Sequence, residues 1–101
     1  MLDNLSEAKF IYDEHANVRL GQRGISKEML EGLLRDKGKL LLARKNEERG
    51  NYEVFLRKSS KYTLKVVLVE TGTNALKVIT AHIMNRKKWQ KTVKLWPKMP
   101  R

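Results

Sequence analysis

The stretch YTLKVVLVETGTNALKVITAHIM, residues 62–84, decides the fold. Two runs rich in β-branched and aliphatic residues, 62–70 and 75–84, flank TGTN, whose glycine suits a hairpin turn, so the stretch reads as two antiparallel strands. Upstream, KLLLARK (39–45) and YEVFLRK (52–58) have the same character. The polar loop NEERGN separates them, and the tight turn SSK leads from the second into residue 62. Connections this short predict a four-stranded antiparallel meander.

The first third of the chain reads differently. Asp13 is a good N-cap and Gly24 a good stop, with Gly21 the one breaker between them, which predicts a helix of about ten residues. Ser26 caps a second helix running to about residue 37, with Ile25 and Leu30 as a hydrophobic staple and Gly38 at its end. Met29, Leu30, Leu33 and Leu34 share one face of that helix and are expected to pack on the sheet. Residues 2–12 stay open between a helix capped by Asn4, an extended arm, and a strand at KFIY. The expected architecture is α+β, with N-terminal helices packed on a four-stranded antiparallel sheet. Residues 1–84 form this single domain, and residues 85–101, NRKKWQKTVKLWPKMPR, a basic C-terminal helix or arm.

Length and composition bound the function. A chain of 101 residues suits one domain, and 41% apolar with 33% charged residues is a globular balance. The absence of cysteine removes disulfides, thiolate metal sites and a cysteine nucleophile. No apolar run approaches the roughly 20 residues that span a bilayer, and the N-terminus lacks a secretory signal, so a cytoplasmic location without membrane contact is expected. Lys and Arg number 22 against 11 Asp and Glu, a formal charge of +11. Such an excess points to a polyanion, nucleic acid first, because each neutralised phosphate releases condensed counterions; a merely soluble basic protein is the alternative.

His15, Arg19 and Arg23 recur every four residues on the first predicted helix and so share a face that can converge on one anion. An exposed helix with ordinary basic residues has the same spacing. In the last strand, alternation puts Val78, Thr80, His82 and Met84 on one face, and Lys77, Ile79, Ala81 and Ile83 on the other. His15 and His82 are the chain's two histidines. If helix and strand meet, the pair can act as general base and general acid near neutral pH, with Thr80 orienting a group by hydrogen bond. Arg57 shares a strand face with Glu53 and Phe55, and Lys65 one with Thr63, Val67 and Val69; both cations are candidate phosphate ligands or solvated sheet positions. In the tail, Arg86, Lys87, Lys88 and Lys91 suit a phosphate track, while Trp89 and Trp96, seven apart, suit packing on the domain or base stacking.

HANVRLGQRGIS followed by a helix, several strands and VITAHI resembles a widespread family of small uncharacterised domains. Its pattern is His-Ala, two spaced arginines, Arg-Gly-Ile-Ser, and a threonine on the last strand. The matched positions are His15, Ala16, Arg19, Arg23, Gly24, Ile25, Ser26 and Thr80, within a resemblance covering roughly residues 10 to 84. That family looks related to the BrnT-type and RelE/ParE-type toxins. The resemblance implies a metal-independent, cofactor-free ribonuclease of toxin type, inhibited by an antitoxin protein. ParE-like relatives act on a protein target instead, and the family pattern does not require the basic tail. The expected function is therefore RNA binding and RNA cleavage through His15 and His82, with Arg19 and Arg23 on phosphate. The alternatives are a non-catalytic nucleic-acid-binding module and a toxin-like inhibitor of a protein.

Overall fold

The computed structural model of the chain describes residues 5, 7–72 and 74–85. Its elements run β1 (Lys9–Tyr12), α1 (Glu14–Gln22), α2 (Lys27–Arg35), β2 (Leu40–Asn46), β3 (Asn51–Arg57), β4 (Tyr62–Gly72) and β5 (Ala75–Asn85), with a 3-10 turn at Lys37–Lys39. The fold is α+β. Its sheet, however, has five strands in the order β1-β5-β4-β3-β2 and is mixed, not the four-stranded antiparallel sheet expected. The meander from β2 to β5 is antiparallel throughout. The addition is β1, which lies parallel to β5, with Phe10 opposite Leu76 and Tyr12 opposite Val78. Four residues are too few for alternation to declare a strand. What holds β1 is tertiary: Phe10 is buried in the core, and the Tyr12 hydroxyl donates to Glu31 of α2 at 2.7 Å. Burial first, and then that bond, raises the Tyr12 pKa.

Both helices begin as their sequences dictate. The Asp13 carboxylate accepts from the Ala16 amide at 2.8 Å, and the Ser26 hydroxyl from the Met29 amide at 3.1 Å. Between them α1 stops in a Schellman turn, in which the Ile25 amide donates to Leu20 O and the Gly24 amide to Gly21 O. Gly24 takes φ +66°, a conformation that a side chain disfavours. The turn drops Ile25 beside Leu20 in the core. α2 ends at Arg35, two residues before the expected end, because Asp36 starts the 3-10 turn and accepts from the Gly38 amide at 2.9 Å.

One face of the sheet carries the core. Val54, Leu56, Leu64, Val66, Leu68, Leu76, Val78 and Ala81 cluster with Leu20, Ile25, Leu30 and Leu34 from the helical segment. Each such leucine, fully buried, stabilises the fold by roughly 1.5–3 kcal/mol. The alternate residues of β3 and β4, including Glu53, Phe55, Thr63, Lys65 and Val67, turn to the opposite face.

A bulge in β5 fixes which of its side chains join them. Val67 pairs with Thr80 but Leu68 with Val78, so Ile79 is an extra residue. The expected grouping of Val78 with Thr80 and His82 is therefore corrected: Val78 lies in the core with Ala81, while Thr80 and His82 belong to the other face. The extra residue shifts the alternation by one at that point, which no two-residue period can announce.

Candidate functional site

β1 accompanies β5 only as far as Val78. Beyond that point α1 packs against β5, and the Arg23 guanidinium, through one nitrogen, donates to Thr80 Oγ1 at 2.7 Å and to the Ala81 carbonyl at 2.9 Å. At its other end, α1 is tied to β5 by Asp13, whose second carboxylate oxygen lies 3.0 Å from Lys77 Nζ. The Ala16 amide first, and then Lys77, hold the Asp13 carboxyl below the usual carboxylate range. Ala16 and Leu20 are the residues α1 buries. One position earlier in each turn stand His15 and Arg19.

His15 and Arg19 form one wall of a cleft of about 610 Å³. Ile79, Thr80 and His82 of β5 line it, together with Lys65 and Val67 of β4. The remaining lining comes from β3 and the hairpin before it: Asn46, Glu48, Arg49, Asn51 and Glu53. The volume lies within the range of small-molecule sites, about 300–1,000 Å³, and suits a nucleotide-sized group. Thus the structure brings together His15, Arg19, Lys65, Thr80 and His82.

Other expected site residues stand elsewhere. Arg23 is not among the residues that line the cleft; one of its guanidinium nitrogens bonds Thr80 and Ala81. Thr80 correspondingly accepts a hydrogen bond from Arg23. Arg57, on β3 opposite Thr63, is exposed outside the cleft. Arg86, Lys87, Lys88, Lys91, Trp89 and Trp96 lie outside the described residues.

Sequence reasoning missed the acidic centre of the floor. Glu53 is 8% exposed; its carboxylate accepts from Arg44 Nε at 2.6 Å and lies 3.5 Å from Lys65 Nζ. Lys65 also stands over the Phe55 ring, 6.0 Å from its centroid, and pairs in register with His82. Arg44, Glu53 and Lys65 therefore form a row of alternating charge across β2, β3 and β4 that leads to His82. The available signal was the sharing of one strand face by Glu53 and Phe55. The hairpin wall was also missed. There Asn46 Oδ1 accepts from the Arg49 amide at 3.3 Å, and Asn51 Oδ1 is buried without a hydrogen-bond partner.

Chemically, the cleft offers two imidazoles beside cations able to meet an anion. Among the described residues, no three His, Asp or Glu side chains are grouped so as to hold a metal ion. Nor is any helix among them long and apolar enough to cross a membrane. Comparisons with protein-family models, curated proteins and solved structures gave no match to this chain.

Proposed function

We propose that this protein binds RNA in the cleft between α1 and β5 and cleaves it without a metal. The 2′-hydroxyl of a ribose attacks the adjacent phosphorus, forming a 2′,3′-cyclic phosphate and breaking the bond to the 5′-oxygen of the next nucleotide. One histidine of the His15/His82 pair takes the proton from the 2′-hydroxyl, and the other gives a proton to the departing 5′-oxygen. Arg19 and Lys65 hold the phosphate and stabilise the negative charge that grows on its oxygens. The observation that carries this reading is that the chain's two histidines, 67 positions apart, line one cleft together with those cations. The formal charge of +11 supports a polyanionic substrate. The resemblance of HANVRLGQRGIS to the toxin-related domains supports placing it among cytoplasmic toxins held by an antitoxin.

The test is incubation of the purified protein with a mixed RNA in excess EDTA. Fragmentation is expected. Tight, salt-dependent binding without fragments would leave a non-catalytic nucleic-acid-binding module, and neither binding nor fragments would turn attention to a protein target.

A further inference from the structure

We propose that Arg23 and Asp13 are positioning residues that clamp the two ends of α1 to β5, and so set His15 and Arg19 against His82. In its kinetic part this rests on the ribonuclease reading; in its geometry it does not.

Helix α1 needs such a device. Its buried side chains are Ala16 and Leu20, a narrow stripe that leaves rotation about the helix axis weakly determined. His15 and Arg19 stand one residue before each, about 100° round the helix, so any rotation swings them into or out of the cleft. A turn of about 20° moves a side-chain tip roughly 5 Å from the axis by about 2 Å. Misplacement by about 1 Å can lower a rate on the order of 10²-fold.

Both ties land on the strand that carries His82. Asp13 caps α1 with one carboxylate oxygen and reaches Lys77 with the other. Arg23, the residue at the helix C-terminus, bonds Thr80 Oγ1 and the carbonyl of Ala81, the residue immediately before His82. The Asp13–Lys77 pair is well exposed, at 47% and 35%, and so is the weaker tie. Arg23 carries the larger share, since one of its nitrogens meets a hydroxyl and a part-buried carbonyl at once. Its charge thus serves the catalytic groups through the position of α1, not by touching phosphate.

The experiment compares Arg23→Met, Thr80→Val and the double variant with the wild type in two measurements. In RNA cleavage, Arg23→Met, which breaks both bonds, is expected to lower kcat about 10- to 10²-fold with KM little changed, Thr80→Val, which breaks one, to lower it less, and the double variant to fall no further than Arg23→Met. In NMR titration with inorganic phosphate, the His15 and His82 rings of the wild type should respond with a common midpoint. In Thr80→Val, which removes no charge, keeps the side-chain shape and leaves the bond to the Ala81 carbonyl, the His15 response should weaken while that of His82 persists. Should Arg23→Met fail to fold, Thr80→Val decides the matter alone. An unchanged His15 response in Thr80→Val overturns the clamp, as does a wild type in which phosphate moves only one ring. So does an Arg23→Met variant that loses the phosphate response at both rings, since that marks Arg23 as a direct ligand. If the wild type cuts no RNA, the ribonuclease reading fails by itself, and the phosphate titration still decides the clamp.

Discussion

Lys65 and His82 are register partners on β4 and β5, and both line the cleft that His15 and Arg19 close from the helix side. The pairing places a cation held by Glu53 next to an imidazole. In a phosphate site this adds positive charge beside a proton-transfer group.

His15→Ala and His82→Ala should each slow RNA cleavage by about 10²–10⁴-fold, the usual contribution of one general acid or base. Neither side chain belongs to the core cluster, so circular dichroism and thermal melting should remain close to wild type. Binding to a 2′-deoxy analogue of the substrate should survive in both. Full cleavage by either variant would remove that histidine from the mechanism.

Much of this geometry is legible in the sequence. The caps at Asp13 and Ser26, the turn at Gly24 and the four strands of the meander each have a local cause, in side-chain hydrogen bonding, positive φ or β-branched composition. The sharing of one face by Thr80 and His82 followed from alternation, because both lie beyond the bulge. What stayed hidden depends on distant partners. β1 is a strand because β5, more than sixty residues later, accepts it. The bulge at Ile79 reversed the facing of Val78. The bonds of Arg23 stayed hidden as well, because helical spacing reports which residues share a face, and says nothing of a threonine hydroxyl and a carbonyl waiting on another strand.

Glu53→Gln should separate binding from stability. Removing the carboxylate charge lessens the hold on Lys65, which lines the cleft, so RNA affinity should rise and its dependence on salt should steepen. The fold should weaken by roughly 1–3 kcal/mol, because a nearly buried acceptor loses the charge that strengthens its bond to Arg44. Salt-titrated binding and urea unfolding measure the two effects. Weaker RNA binding by a folded variant would show that Glu53 serves the substrate through some other contact.

Acid should loosen α1 at its N-terminus. The Asp13 carboxyl is held below its ordinary value by the Ala16 amide and Lys77, so its unfolded-state pKa is the higher of the two. Its stabilising contribution is therefore fully present above the ordinary aspartate range and is lost as pH falls through the depressed folded value. Amide hydrogen exchange at Ala16 should accelerate in that window, relative to amides in the middle of β4, and the Asp13→Asn variant should lack this extra acceleration. Equal acceleration in both proteins would place the acid-sensitive group elsewhere.

In the proposed reaction, side chains of this cleft move the protons while a 2′-hydroxyl attacks phosphorus. The most direct measurement is the chemical identity of the fragment ends after wild-type cleavage of a defined RNA in excess EDTA, beside the same RNA carrying a single 2′-deoxy sugar at the cleaved position. The expected ends are 2′,3′-cyclic phosphate and 5′-hydroxyl, with cleavage at the substituted position abolished. Ends bearing 5′-phosphate and 3′-hydroxyl, or undiminished cleavage at the 2′-deoxy position, would contradict the proposed reaction.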